Sequence, residues 1–366
     1  MQAAYLFLPL HAVLHDRSLR KQLHPVYQDA CRFFHCTLID RTQTLETGLE
    51  FQILEPLERL TPTSEAFYAI CDRMGQQIAR QALAEHKTIQ LLWSGGIDST
   101  TALVALYRAL EKEDRLDALH VLLSQESIHE YQRFFAEIVQ PRLCYTIFTP
   151  PLYPHLDSQC LVVTGEHGDQ LFGSDKLRPF VLSGQAFRPY EEVLPVIIDR
   201  KLGRLRACDK MMSYLQPQIQ RAPVPIDTLY DYLWWMNFSM KWQFVSLRLL
   251  AHLEPHMPMR LGDTLIHFFQ HRAFQQWALR ARTEKIKDAW PTYKYPAKAY
   301  IYAFHEDPQY LEEKEKEQSL KEAIVQPRSF FRLPHGSLIN TPDFRTHQNT
   351  PQQAHEVCQA RPWTAG

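Results

Sequence analysis

The chain has 366 residues, of which 45% are hydrophobic and 22% are charged, and its 40 basic residues are balanced by 41 acidic ones. A net charge of −1 provides no overall positive field for a nucleic-acid backbone, so nucleic acid is not an expected partner. No stretch approaches the roughly 20 apolar residues of a membrane helix, so no membrane association is expected. The seven cysteines include no Cys-x-x-Cys pair, which is typical of reduced thiols and predicts a cytoplasmic protein.

The first half of the chain alternates between short apolar runs and helical patterns. Residues 1–63 form an N-terminal segment to which the sequence assigns no role, and a helical pattern then begins after Ser64, a candidate N-cap. The apolar runs that follow, interpreted as strands, are 88–93, 118–123, 143–148 and 160–164. Continuous apolar strands separated by helices predict an α/β fold with a parallel sheet covered on both faces.

The second half is predicted to be mainly helical. Apolar residues recur at helical spacing in 229–250, 265–279 and 308–323, and the last of these includes a charged face. The tail after Pro327 is proline-rich and is predicted to be loop-like or partly disordered. We therefore predict three parts: 1–63, a main α/β domain at 64–300 with a helical lobe from about residue 180, and a charged helix with a tail at 301–366.

A glycine-rich turn separates the first predicted strand from the next helix, at residues 94–100 (SGGIDST). Glycine allows positive φ angles and a close approach of the backbone to an anion. The first turn of the following helix contributes N–H groups and the positive end of its dipole, so the turn suits a phosphate. Ser94, Ser99 and Thr100 add hydroxyl donors. Because Asp98 would repel a bare phosphate, its presence indicates a Mg²⁺ ion between its carboxylate and the phosphate oxygens.

This turn resembles the pyrophosphate loop, S-G-G-x-D-S, of the N-type ATP pyrophosphatases, whereas the Walker A and G-x-G-x-x-G patterns are absent from the sequence. Enzymes of that superfamily cleave ATP between the α and β phosphates, transfer AMP to a carboxylate or carbonyl oxygen, and release pyrophosphate. The resemblance implies an adenine nucleotide alpha-hydrolase-like (PP-loop) core with ATP and Mg²⁺ as ligands. The residues that it implies for ATP and pyrophosphate binding in this turn are Ser94, Gly95, Gly96, Asp98, Ser99 and Thr100.

A second glycine-containing loop follows the fourth predicted strand, at residues 164–173 (TGEHGDQLFG). It resembles the S-G-E-G-x-D-E-L-F-G-G segment of asparagine synthetases and of their relatives, the β-lactam synthetases and lasso-peptide cyclases. Both loops are expected at the carboxyl edge of one parallel sheet, where ligands bind in such folds. The resemblance implies that Asp169 joins Asp98 as the second Mg²⁺ carboxylate. It also implies that Thr164 and Gly165 contact the adenine.

The same resemblance assigns two catalytic residues. Glu166 occupies the position of the glutamate that handles the acyl acceptor or its proton, and amide formation from an acyl-adenylate needs such a base. Residues 293–298 (YKYPAK) fall where the family keeps a lysine that neutralises phosphate and transition-state charge. Of the two lysines there, we assign Lys298 rather than Lys294 to this role.

The chain departs from asparagine synthetases on the nitrogen side of the reaction. Those enzymes carry an N-terminal glutaminase domain whose nucleophile is a cysteine directly after the initiator methionine, whereas position 2 here is Gln2 and the segment before Ser94 is too short for that domain. Cys31 and Cys36 stand at no chain terminus, so glutamine hydrolysis by this chain is not expected. Nitrogen is expected from ammonia, a separate glutaminase or a substrate amine. The stretch between residues 148 and 160 is also too short for the family's acceptor-pocket insertion, so aspartate is not the expected substrate.

The sequence therefore predicts an ATP-dependent, AMP-forming ligase that adenylates a carboxylate or carbonyl of a small-molecule or peptide acceptor and then forms an amide. A carrier protein and a homo-oligomer stay open as further partners. Three alternative functions stay open: an ATP-binding regulatory module, a tRNA- or base-modifying PP-loop enzyme, and a nitrile- or guanylate-forming relative. The acidic residues of the two loops count against a regulatory module that binds ATP without turning it over. The absence of a Cys-x-x-Cys pair counts against tRNA thiolation.

Overall fold

The chain divides into two compact units in the computed structural model. Unit 1 comprises Met1–Thr61, Gly173–His252 and Gln326–Pro362, and unit 2 comprises Pro62–Phe172, Leu253–Val325 and Trp363–Gly366. The residues that the structure describes are 4–58, 60–173, 175–203, 207–253, 256–257, 259–287 and 289–314, with the backbone of three strands between 330 and 359. The division differs from the linear scheme of 1–63, 64–300 and 301–366, because most of the predicted helical lobe belongs with the N-terminal segment.

The strands and helices of the described residues have the following bounds. The strands are β1 (Tyr5–Phe7), β2 (Ile89–Leu92), β3 (Leu119–Leu123), β4 (Cys144–Ile147), β5 (Leu161–Thr164), β6 (Leu265–His267), β7 (Phe330–Arg332), β8 (Asp343–His347) and β9 (Ala354–Gln359). The helices are α1 (Leu10–His15), α2 (Arg17–Gln22), α3 (Pro25–Phe34), α4 (Phe67–Ala84), α5 (Ile97–Lys112), α6 (Gln125–Glu130), α7 (Gln132–Phe134), α8 (Gln140–Arg142), α9 (Gly168–Phe172), α10 (Arg178–Leu182), α11 (Tyr190–Leu202), α12 (Ala207–Ile219), α13 (Leu229–Met240), α14 (Trp242–Leu253), α15 (Arg272–Ala278), α16 (Tyr295–Tyr302) and α17 (Pro308–Glu313). Within the described ranges, none of these helices is both long and apolar enough to cross a membrane.

Unit 2 is built around a five-stranded sheet with the order β4-β3-β2-β5-β6, in which all neighbouring strands are parallel. β2 lies at the centre, where Leu91 pairs with Val121 of β3 and Val163 of β5. Every residue of β2 and β5 is buried, as expected for strands of a sheet covered by helices. The predicted α/β class and the predicted parallel sheet are confirmed.

The fifth strand of this sheet contradicts one prediction. Helical spacing predicted a helix over 265–279, but Leu265–His267 forms β6 beside β5 and only Arg272–Ala278 is α-helical. A three-residue strand has no periodicity of its own, so its pairing with β5 decides its conformation. The long helix predicted over 229–250 is also divided into α13 and α14, with Lys241 between them.

Unit 1 contains a second sheet, which is antiparallel and has the order β1-β7-β8-β9. Three of its strands lie in the tail that was predicted to be loop-like, so that prediction is wrong at β7, β8 and β9. β7 pairs with the distant β1, whereas β7, β8 and β9 pair with one another in chain order, so pairing and not local composition determines these strands. The helix predicted over 308–323 begins at Pro308 and the described part ends at Glu313, and residues 315–323 lie outside the described residues.

The N-terminal segment packs against the helices of unit 1 through a buried glutamine. The Gln243 side chain of α14 donates to the carbonyl oxygens of Leu6 (2.9 Å) and Gln52 (2.8 Å) and accepts from the Leu54 amide (2.9 Å). Because buried amide groups must be hydrogen-bonded, these contacts tie two stretches of the segment to α14. The first 60 residues therefore have a clear structural role.

Candidate functional site

The first glycine loop has the geometry expected of a turn that opens a helix. Gly95 has a φ of +74°, a conformation that glycine adopts without strain, and α5 begins two residues later. The hydroxyl of Ser99 accepts from the Ser94 amide at 3.0 Å and lies 2.9 Å from the Ser94 hydroxyl. The indole N–H of Trp93 donates to the Thr100 hydroxyl at 3.0 Å. These bonds fix the loop, and the first N–H groups of α5 lie at its opening, where helix geometry leaves them without helical acceptors.

The second glycine loop packs directly against the first turn of α5. A Cβ on Gly165 would lie 2.6 Å from the Ser99 amide nitrogen, and a Cβ on Gly168 would overlap the Asp98 carboxylate. Only glycine permits this approach, so both positions are needed to bring the loops together. The strand order explains the meeting, because β2 and β5 are parallel neighbours whose carboxyl ends share one edge.

A buried lysine joins the two predicted metal carboxylates. The ammonium nitrogen of Lys294 donates to Asp98 Oδ2 at 2.5 Å and to Asp169 Oδ1 at 2.8 Å. The Lys294 side chain is 1% exposed, whereas those of Asp98 and Asp169 are 19% and 30% exposed. Burial alone would lower the pKa of Lys294, but the charges of Asp169 and then Asp98 outweigh it, so the pKa is raised. The lysine therefore stays protonated at neutral pH.

Local backbone geometry places Lys294 in this position. It is the N-cap of α16 in the left-handed conformation, with a φ of +58°, and its amide donates to the Lys285 carbonyl at 3.0 Å. A lysine at positive φ is uncommon and is held there by its surroundings. The ammonium nitrogen also lies 5.4 Å from the Tyr293 ring centroid and 5.9 Å from that of Phe172. Backbone and rings together direct the side chain into the gap between the carboxylates.

Lys298, to which the sequence analysis assigned the phosphate-neutralising role, has a different position. Its side chain is 1% exposed and its ammonium donates to the Pro291 carbonyl at 2.8 Å. The structure therefore places Lys294, and not Lys298, between Asp98 and Asp169. The two lysines are four residues apart, and the motif alone did not distinguish them.

The predicted acceptor side lies at the end of β5. Glu166 is half-buried, and its amide donates to the Thr164 hydroxyl at 3.2 Å. That hydroxyl lies 2.7 Å from Nδ1 of His267 on β6. His167 is fully buried with its ring 5.4 Å from that of His267, which fits a packed loop histidine. His267 was missed by the sequence analysis because β6 was read as part of a helix.

The carboxylates are suited to a magnesium ion that arrives with phosphates. Asp98 and Asp169 converge on a single cation, the Lys294 ammonium, and each is partly exposed. Mg²⁺ is commonly bound by one or two carboxylates together with substrate phosphates. Across the part of the chain that the structure describes, no group of three or more His, Cys, Asp or Glu side chains is arranged to hold a metal ion. The donor set therefore fits Mg²⁺ shared with a nucleotide.

Cys31 and Cys36, the two cysteines of the N-terminal segment, lack the low thiol pKa of an activated nucleophile. Burial raises the pKa of Cys31 to about 12 and that of Cys36 to about 11. Since the thiolate is the nucleophilic form, both side chains are poorly suited to nucleophilic catalysis at neutral pH.

No family model matches this chain, and no curated protein matches it by sequence. The resemblance to asparagine synthetases stays a prediction from the two loop motifs.

Proposed function

We propose that this protein is an ATP-dependent, AMP-forming ligase with a PP-loop core of the asparagine synthetase type. One observation carries the proposal: Asp98 and Asp169, one from each glycine loop, meet at Lys294 beside the first turn of α5. This point lies at the carboxyl edge of a parallel sheet, where ligands bind in open α/β folds. A purely structural ion pair would need neither the two glycine loops nor the adjacent helix N-terminus.

The first glycine loop supplies the phosphate site in this proposal. The backbone of Gly95 and Gly96, the hydroxyls of Ser94 and Ser99, and the first amides of α5 surround the pyrophosphate part of ATP. The predicted contact from Thr100 is not part of this site, because Thr100 is fully buried and its hydroxyl accepts from Trp93. Asp98 and Asp169 would hold Mg²⁺, which when bound neutralises charge on the departing pyrophosphate. Lys294 takes the phosphate-supporting role that the sequence analysis gave to Lys298, because its ammonium already lies at the carboxylates.

The second loop supplies the acceptor side. A substrate carboxylate or carbonyl oxygen attacks the α-phosphorus, the bond to the bridging oxygen of the β-phosphate breaks, and pyrophosphate leaves. An amine then attacks the activated carbon, and AMP leaves with the electron pair of the carbon–oxygen bond. Glu166 accepts the proton that the amine loses.

Thr164 and Gly165, at the end of β5, contact the adenine. Ammonia, a partner's glutaminase product or an amine of the substrate itself supplies the nitrogen.

The proposal is tested by measuring pyrophosphate and AMP formed from ATP and Mg²⁺ in the presence of pools of amino acids, peptides and metabolite carboxylates. Each pool is assayed with and without ammonium. We expect one pool to give equal amounts of both products, and Asp169→Asn to abolish them. Asp117→Asn is the matched control, since Asp117 pairs with Arg115 on the surface and is 68% exposed. Tight ATP binding without pyrophosphate from any pool would instead indicate a regulatory nucleotide-binding module.

A further inference from the structure

Three lysines from separate parts of unit 1 converge on the C-terminal end of α3. The ammonium groups of Lys176 and Lys241 donate to the Phe34 carbonyl at 3.1 Å and 3.0 Å. The ammonium group of Lys201, on α11, donates to the neighbouring Phe33 carbonyl at 2.6 Å. Because Lys176 and Lys241 share one carbonyl oxygen, their nitrogens are close enough for a single oxyanion to contact both.

The end of α3 does not need three cations. The last four carbonyls of an α-helix have no helical donor. In α3 the two backbone amides that follow the helix donate to the carbonyls of Arg32 (3.3 Å) and Cys31 (3.2 Å), which leaves those of Phe33 and Phe34. One lysine for each of these would complete the cap, and a helix C-terminus carries only about half a negative charge. The three ammonium groups therefore bring more positive charge than the helix end requires.

Neighbouring titratable groups respond to this positive charge. His35 follows α3 in the left-handed conformation, with a φ of +52°. Burial lowers the pKa of His35, and the charges of Lys201, Lys176 and Lys241 lower it further. Burial also lowers the pKa of Lys201, and the charge of Lys176 adds to the effect. Like charges held this close repel one another, so the arrangement costs stability that a bound anion would restore.

The lysines are held from below and open to solvent above. The Lys201 ammonium lies 4.9 Å from the ring centroid of the buried Phe33, and that of Lys241 lies 5.6 Å from the ring centroid of the buried Phe34. Lys176 and Lys201 are exposed, whereas Lys241 is half-buried. An ammonium group has three N–H donors, so a bond to one carbonyl does not exhaust its capacity. A ligand can therefore bind without displacing the lysines from α3.

We propose that Lys176, Lys201 and Lys241 form an anion site, made only of residues of unit 1, that binds a phosphate monoester. Such a group carries about −1.5 to −2 charges at neutral pH and presents three terminal oxygens, which matches three ammonium groups beside a helix C-terminus. A carboxylate carries one charge and two oxygens, so it would leave the cluster positive. The phosphate belongs either to a small ester or to a phosphoserine side chain of another protein. The inference uses no residue of either glycine loop and does not depend on the proposed function.

The test is titration of the full chain with inorganic phosphate, followed by the NMR signal of the His35 ring, which His35→Gln identifies. We expect phosphate to raise the pKa of His35, because the bound anion offsets the lysine charges, and sodium chloride at equal ionic strength to raise it less. Lys176→Met and Lys201→Met should each weaken phosphate binding roughly tenfold, as the loss of one charge-assisted hydrogen bond predicts. Lys21→Met is the matched control, because Lys21 is an exposed lysine of α2 in the same unit.

Two results would overturn the inference. The first is a His35 response that chloride reproduces in full, since that would be general screening of charge. The second is loss of stability in Lys176→Met and Lys201→Met with unchanged phosphate affinity, which would limit these lysines to capping α3. Thermal unfolding of each variant confirms folding, and glutamine replaces methionine in any variant that does not fold.

The source of the phosphate is distinguished by two further probes, glycerol phosphate and a capped Gly-phosphoserine-Gly peptide. Tighter binding of glycerol phosphate supports a small ester, and tighter binding of the peptide supports a phosphoserine of a partner protein. A capped Gly-Glu-Gly peptide that binds as tightly as either probe overturns the choice of phosphate over carboxylate. Pyrophosphate formation from ATP is measured separately, so its failure would refute the proposed function and leave this inference in place.

Discussion

Each unit buries a cation, but the two cations have different kinds of partner. In unit 1, Arg41 is 1% exposed, and its guanidinium donates to the carbonyls of Glu55 (2.7 Å) and Phe238 (3.2 Å). It also lies 4.6 Å from the Trp242 ring centroid. In unit 2, Lys294 is equally buried but donates to two side-chain carboxylates. Arg41 is hydrogen-bonded to backbone carbonyls, with the charge of Glu55 also acting on it, whereas Lys294 is hydrogen-bonded to two carboxylates, which are also ligands that Mg²⁺ prefers.

The exposure of the partners supports this distinction. Asp98 and Asp169 are partly open to solvent although the lysine between them is not. An incoming ion or phosphate can therefore reach the carboxylates. For Arg41, burial lowers the pKa to about 10, with the charge of Glu55 opposing the change. Under the proposed function, Arg41 is a structural tie and Lys294 is part of the ligand site.

The largest effect is expected from the removal of one carboxylate of unit 2. Asp98→Asn and Asp169→Asn are each expected to lower pyrophosphate formation by on the order of 10³-fold, as loss of a group that stabilises developing charge does. Turnover of ATP with the acceptor that the pool assay identifies is the measurement, with Asp117→Asn as the control. Full activity in both variants would show that this ion pair is only structural, like the ties of Arg41.

The complementary change is Arg41→Met in unit 1. It removes the charged donor from the carbonyls of Glu55 and Phe238, of which the second bond is buried, so we expect the free energy of unfolding to fall by about 3 kcal/mol. Denaturant titration measures this, and ATP affinity of the folded variant should equal that of the wild type. Arg41→Lys, which keeps the charge but loses the planar group, should be intermediate. A variant of unchanged stability and reduced ATP affinity would reverse the roles assigned to the two cations.

The sequence was sufficient where short-range signals decide the structure. The central strands are continuous apolar runs. The glycine loops are recognisable from their sequence, and in the second loop the close approach at Gly165 and Gly168 admits no other residue. β6 was missed because three residues carry no period, and the tail strands were missed because the proline-rich composition of the tail does not reveal their pairing with one another and with β1. The assignment of strands thus failed where pairing, and not local pattern, determines conformation.

Local sequence patterns were also insufficient to predict which residues meet at the candidate site. The motif placed a lysine within 293–298, but the choice of Lys294 depends on its left-handed backbone at the start of α16. Glu130 lies against Gly95 and Gly96 of the first loop through the packing of α6. No spacing within the sequence connects these residues. Tertiary contacts between separate helices therefore account for most of what the loop motifs did not reveal.

His271 of unit 2 is a half-buried base that is neutral at a pH where Arg41 and Lys294 stay charged. Burial lowers the pKa of His271 to about 4, and the charge of Arg73 adds to the effect. Neutral Nδ1 of His271 accepts from the Ala273 amide at 3.2 Å and caps α15. Since the folded pKa lies below the usual value of 6.5, stability is fully present above pH 6.5 and is lost as the pH falls towards 4.

The variant His271→Asn keeps a capping side chain and removes the titration. We expect the wild type to lose on the order of 1–2 kcal/mol more stability than the variant between pH 6.5 and 4, after allowance for solvent screening. Unfolding curves at several pH values measure the difference. Parallel pH profiles for the two proteins would contradict the assignment of this loss to His271.

The smallest effect is expected for the variant of Lys298, which is compared here with Lys294, the other lysine of the 293–298 segment. Lys298 donates to the Pro291 carbonyl, so Lys298→Met should cost about 1 kcal/mol of stability through the loss of that hydrogen bond and leave pyrophosphate formation nearly unchanged. Lys294→Met should lower pyrophosphate formation as strongly as the aspartate variants, because it removes the cation that both carboxylates share. Both lysines are 1% exposed, so burial cannot explain a difference between them. If Lys298→Met were instead the inactive variant, the nature of a cation's partners would not predict its role in this protein.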